Sequence, residues 1–213
     1  MFRFIRNLFV LVVFFAAIAG GFYFYWNVEG RYRPHQITKD QAEITKTLES
    51  AGGVSPGLGG PKLYVVAYRA DPSLQTLYGD DFPKLHEAQI DTAVIMIARP
   101  DLQGTSQSSA IERNTVAELW VNKSWALFQR WMKASPQDWT APGIPPADTD
   151  VARNAVVEVG RATVDKLTPL LKDNGLDFGY PLLVWWTKDG KMEAVVDDDP
   201  KKSAVVLKDL GAG

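Results

Sequence analysis

The chain contains no cysteine among its 213 residues. That absence excludes disulfides, thiolate nucleophiles, thiol–disulfide exchange and cysteine-ligated zinc. Histidine is scarce too. His35 and His86 are the only two, and neither has a sequence neighbour that would make it a metal ligand or a general base. A basic excess is missing. Beyond residue 33 the chain carries 19 basic and 24 acidic residues, the wrong sign for neutralising phosphates, so no nucleic-acid partner is expected. No Ser/His/Asp order, HExxH or paired-carboxylate spacing occurs, and hydrolase chemistry has no positive support. The five glycines between Ala51 and Pro61 lack the Lys-Ser/Thr ending of a phosphate loop and precede a strand, not a helix. No cofactor and no metal are expected.

A long apolar run is present. Leu8 to Trp26 is uncharged over 19 residues, and about 20 apolar residues span a bilayer. Tyr23, Tyr25 and Trp26 lie at its far end, where amphipathic rings favour the interface. A cleaved signal peptide is the rival. Arg3 and Arg6 would be its basic region and Ala17-Ile18-Ala19 its cleavage site. The run continues past that site to Trp26, which suits an uncleaved anchor. Arg31 and Arg33 on the far side balance Arg3 and Arg6, so charge asymmetry alone orients the segment weakly.

Thr38 and Gln41 stand at capping-box spacing, which predicts a helix to about Ser50. Ala51 to Pro61 reads as a Gly-rich linker. Lys62 to Ala70 and Thr92 to Arg99 are apolar runs of buried-strand type, separated by Asp71–Asp80 as a loop and a helix that Asp81 would cap, with Pro83 in its first turn. Strand, helix, strand at this spacing implies parallel strands. A helical block follows from Ser108, broken near Asn122-Lys123-Ser124, with a proline-rich loop at 135–150. Val151 to Asn174 is helical, with Pro169 expected to kink it or split off its last turn. Leu182 to Val196 forms a hairpin around Lys188-Asp189-Gly190, entered through Tyr180-Pro181. Pro200 to Leu210 closes the chain as an amphipathic helix. The order β-α-β, helical block, hairpin, α predicts an α/β thioredoxin-like fold with a helical insertion. Its expected parts are an anchor and flank (1–33), a short helix and linker (34–61) and the thioredoxin-like domain (62–213).

Three stretches resemble one family. Lys84-Leu85-His86-Glu87 stands where an active-site helix begins. Trp120-Val121-Asn122-Lys123 with Ala126-Leu127-Phe128 is similar to a helical insert, and Tyr180-Pro181 matches a cis-proline facing an active site. Together they resemble the catalytic domain of bacterial periplasmic disulfide isomerases of the DsbC and DsbG type, over about 150 of the 213 residues. The resemblance implies the fold and the periplasmic face of a bacterial inner membrane. It does not carry the activity. Counted back from Lys84, the family's Cys-x-x-Cys falls on Gly79-Asp80-Asp81-Phe82, and the family's structural Cys after the insert Trp is Val121.

Each candidate group has a plain structural explanation beside it. Asp80 and Asp81 are an acid pair or a helix cap. Asp197-Asp198-Asp199 lacks the glycine and closing glutamate of a calcium loop and suits a helix N-terminus. The tryptophans are core, or an aromatic groove. The resulting expectation is a membrane-anchored, non-redox module that binds a protein partner through Gly79, Asp80, Asp81, Phe82, Tyr180 and Pro181, with the bilayer engaged through residues 8–26. The alternatives are a cysteine-free enzyme or chaperone using Asp80, Asp81 or His86, and a structural subunit of an envelope assembly.

Overall fold

The computed structural model describes residues 2–28, 30–197 and 199–213. It divides into two units, Met1–Arg33 and Pro34–Gly213. The first is dominated by α1 (Phe2–Val28). At 1.5 Å per residue its 27 residues reach about 40 Å, more than a hydrocarbon core of about 30 Å. Leu11–Tyr32 is long and apolar enough to cross a membrane, and residues 11–26 are all exposed. Beyond it, the Arg33 guanidinium lies 5.3 Å from the Tyr25 ring centre, a cation–aromatic pair suited to an interface.

The second unit is built on a five-stranded sheet. In chain order its strands are β1 (His35–Ile37), β2 (Lys62–Ala67), β3 (Asp91–Met96), β4 (Leu182–Trp186) and β5 (Met192–Val196). The spatial order is β1-β5-β4-β2-β3. β2 and β3 are parallel, while β4 pairs with β2, and β5 with β4, in antiparallel fashion. This is the thioredoxin-like α/β arrangement. β2 and β3 are buried on both faces, which is why they read as unbroken apolar runs instead of alternating ones. The β4–β5 turn follows from Gly190, whose φ of 75° lets the chain reverse.

α2 (Gln41–Ser50) precedes β2. Between β2 and β3 run α3 (Pro72–Thr76), a π-helical turn (Leu77–Asp81) and α4 (Phe82–Glu87) without a break. The helical block is α5 (Ala110–Asn122), α6 (Trp125–Lys133) and α7 (Val151–Lys172), and α8 (Pro200–Leu210) ends the fold. α5 stops where Lys123 turns left-handed at φ 49°, and Ser124 caps α6 by accepting from Leu127 N–H at 3.2 Å. Trp120 locks α5 to the sheet through its indole N–H and the Met96 carbonyl, 2.8 Å apart.

Several expectations are corrected. α2 starts at Gln41, not Thr38, because residues 35–37 are taken by β1. The turn between them is held by Asn174, whose Oδ1 accepts from Thr38 and Lys39 N–H at 2.8 and 2.9 Å. Asp81 does not cap a helix: it sits inside a continuous one, and Asp71 is the cap, accepting from Ser73 N–H at 2.9 Å. Pro169 does not split off the last turn of α7, which continues to Lys172. Residues 51–61 are built into the second unit. Val54 is fully buried and bonds to Val94 in both directions at 2.8 and 2.7 Å.

Candidate functional site

The register sets the site. Val66 pairs with Leu182, so the next residues along, Ala67-Tyr68 and Pro181-Tyr180, run side by side along an edge formed at one end of these two inner strands. The Tyr180–Pro181 bond is cis. Rings line this edge in series. The Arg99 guanidinium covers the Tyr68 ring at 3.9 Å, Tyr68 meets Tyr180 edge-on at 5.2 Å, and Tyr180 meets Phe178 edge-on at 5.0 Å. All four are half-buried. The backbone N–H and C=O of Gly179 and Tyr180 hydrogen-bond to nothing among the described residues. Burial pushes the Tyr180 phenol up to about 12, with Arg99 opposing and Asp165 and Tyr68 adding. At neutral pH it is an uncharged donor. Beside it opens a cavity of about 170 Å³, walled by Ile97, Pro100, Val164 and Tyr180, with Arg161 and Asp165 also lining it.

Beneath the rings lies a compact charge cluster. Arg69 is 5% exposed and donates to the Trp131 and Ala134 carbonyls at 3.1 and 2.7 Å. Ser109 caps α5: the Glu112 N–H donates to Ser109 Oγ at 3.1 Å, and the Glu112 Oε1 is buried without a hydrogen-bond partner among the described residues. Burial raises the Glu112 carboxyl above its ordinary value, against Arg99 and Arg69. Asp71 is raised for the same first reason, with the Ser73 and Leu74 N–H groups and Arg99 holding it down.

The sequence-predicted residues divide. Tyr180 and Pro181 form the edge just described. Gly79 and Asp80 are exposed, two turns along the helix from Asp71, about 12 Å at 1.5 Å per residue. Asp81 is buried, pairs with Lys84 at 3.1 Å, and lines a small cleft with Ser73, Thr76 and Asp197. Asp197 N–H in turn donates to the Pro181 carbonyl at 2.8 Å. Phe82 is 2% exposed and packs against Tyr78, His86 and Trp125. The residues that run beside Pro181 and Tyr180 are Ala67 and Tyr68, and the helical stretch after them is capped by Asp71, eight residues before Gly79. Asp71-Pro72, an N-cap followed by proline at the first helical position, was the available signal.

The remaining candidates lie elsewhere in the fold. His86 Nε2 and Thr92 Oγ1 are 2.7 Å apart, and burial lowers the imidazole pKa, with Asp91 opposing. His35 lies on β1, exposed. Asp199 caps α8 through Lys201 N–H at 3.0 Å, and Asp198 lies outside the described residues. Trp131 and Trp185 are core, whereas Trp125, Trp139 and Trp186 are half-buried against it.

No family profile and no curated protein matches the chain. Among solved structures, it is similar to a linker-deletion mutant of ScsC from Proteus mirabilis, at 14% identity, covering 80% of this chain and 83% of that one with a TM-score of 0.45.

Proposed function

We propose that this is a membrane-anchored, non-redox binding module of the bacterial envelope, holding an extended segment of a partner protein against the 178–181 edge. The observation that carries this is the unpaired backbone of Gly179 and Tyr180, set among half-exposed rings. An extended peptide adds to such an edge through main-chain hydrogen bonds, and adjacent pockets take its side chains. Tyrosine and arginine are the residues that dominate interface energy. The absence of cysteine removes thiol exchange. The length and apolarity of α1 support anchoring, with the second unit on the periplasmic side of the inner membrane.

Tyr180 and Pro181 are the centre of the proposed contact, with Tyr68 and Arg99 beside them. Asp81 shares a cleft with Asp197, whose N–H donates to the Pro181 carbonyl. Gly79 and Asp80 offer an outer rim, and Phe82 supports the helix from beneath. Photo-crosslinking in intact membranes followed by mass spectrometry tests the proposal. Losing one central aromatic anchor costs about 2 kcal/mol or more, roughly 30-fold in affinity. Tyr180→Ala is expected to remove partners that wild type and Tyr180→Phe both recover. Equal recovery by all three, with folding intact, would show that the edge binds nothing. Release of the chain from membranes by alkaline carbonate would separately refute the anchor.

A further inference from the structure

The cavity beside Tyr180 has apolar walls, and three charged residues line it: Glu158, Arg161 and Asp165. Two of the three are already engaged. Arg161 Nε donates to the Ala98 carbonyl at 3.0 Å, and one terminal nitrogen donates to the Arg99 carbonyl at 3.1 Å. The other terminal nitrogen pairs with Glu158 at 2.5 Å. The guanidinium is therefore held on three sides by the fold itself. Asp165 forms neither an ion pair nor a side-chain hydrogen bond among the described residues. The charges of the cavity thus do not cancel. One carboxylate is left over, close enough to Tyr180 to oppose ionisation of the phenol. Arg99, which acts on that phenol with the opposite sign, lies over the Tyr68 ring at 3.9 Å and does not line the cavity.

Size and wall chemistry limit what the carboxylate can receive. At about 30 Å³ per water, the cavity of about 170 Å³ holds roughly six water volumes, which suits one unbranched side chain. Ile97 is fully buried, Val164 and Tyr180 are half-buried, and Asp165 is exposed at the rim. An apolar interior with one acid at its mouth is the complement of lysine. Its four-carbon stem packs on apolar surface while its ammonium stays at the wet end. Asp101 and Asp177, next in the chain to Pro100 and Phe178, are exposed and add charge of the same sign.

We propose that the partner segment places a lysine in this cavity. The proposal rests on the reading that an extended segment lies along Gly179 and Tyr180, whose backbone groups are unpaired among the described residues. Side chains of an added strand alternate, so adjacent pockets select among them. The lysine stem lies on Ile97, Val164 and the Tyr180 ring, and its ammonium meets Asp165. Tyr180 then serves twice: its backbone holds the segment and its ring walls the pocket.

Fluorescence polarisation with the full-length protein in detergent tests this. The probes are labelled, amidated peptides Thr-Val-X-Val-Thr in which X is lysine, norleucine or glutamate. Norleucine keeps the stem and lacks the ammonium. The lysine peptide is expected to bind saturably, with norleucine about threefold weaker, the scale of one exposed charge pair, and glutamate weaker still. Asp165→Asn should bring lysine down to norleucine. Asp165→Lys should place glutamate above lysine and leave norleucine unchanged, a reversal that a merely structural role for Asp165 would not give. Tyr180→Ala should lose all three peptides. Equal binding of the three by wild type, or an unaltered order in Asp165→Lys, overturns the lysine pocket and leaves the edge standing. No saturable binding of any peptide, or full binding by Tyr180→Ala, overturns both.

Discussion

Gly59 and Gly60 are adjacent, and the fold gives them opposite responses to the same substitution. A Cβ on Gly59 meets nothing within 4 Å, and its φ is not left-handed. Gly59→Ala should therefore act only through the unfolded chain, raising stability by about 0.4–1 kcal/mol. A Cβ on Gly60 would fall 1.9 Å from the Gln89 carbonyl oxygen. A tolerable C···O contact needs about 3.3 Å, so one backbone segment must move by roughly 1.4 Å. The cost of such overpacking is about 1–3 kcal/mol. The displaced segment also carries the hydrogen bond from Asp91 N–H to the Pro61 carbonyl, 2.8 Å long, at the first rung of the β2–β3 register. Losing it adds about 1 kcal/mol. Gly60→Ala should thus destabilise by about 2–4 kcal/mol, or about 4–16 °C in Tm for a domain of this size. Urea titration and calorimetry of both variants in detergent decide the matter. A free linker at 51–61 would give two equal, slightly stabilising alanines, and that result would refute the packing described for this segment.

Two further outcomes are expected. Glu112 has a folded-state pKa above its ordinary 4.5, so its burial penalty is fully present at high pH and relieved as pH falls through the folded value toward 4.5. Wild type should gain stability relative to Glu112→Gln on moving from pH 7.5 to pH 4.5, and a difference in denaturation midpoint that stays flat with pH contradicts the assignment. Restoring thiols by counting should fail: Gly79→Cys with Phe82→Cys places one sulfur in solvent and the other in a core position only 2% exposed. The pair should lose about 2–4 kcal/mol from the emptied phenyl volume and give no insulin-reductase activity. Measurable turnover would put the junction back at 79–82.

The parts of the fold that were legible are those specified locally. β2, β3 and the β4–β5 hairpin are continuous apolar runs around a Gly turn, and the breaks at Lys123-Ser124 and Asp150 carry their own caps. What was not legible depends on distant partners. β1 has three residues, too few to show a period, and exists because His35, Gln36 and Ile37 pair with residues 192–194 of β5. The segment 51–61 has a linker's composition. Two of its glycines are there for close approach, Gly60 to the Gln89 carbonyl and Gly52 to the Trp120 ring, which a Cβ on Gly52 would meet at 2.5 Å, and composition cannot separate that use from flexibility.

The candidate site failed to show for a chemical reason as well as a topological one. Arg69, Arg99 and Glu112 come from three elements and form no motif. They meet because the parallel strands β2 and β3 end side by side and α5 lies against them. In a redox domain this junction must present a thiol to solvent. Here Asp71 occupies it at 4% exposure, with Arg99 and Tyr68 above it. The site is thus closed by a charge network as well as lacking sulfur, and replacing side chains one at a time would leave the junction covered. What stays open is the neighbouring edge at Gly179 and Tyr180. That edge uses backbone groups, and backbone recognition is indifferent to whether a cysteine stands nearby. The proposed contact through backbone groups is therefore physically separable from thiol chemistry.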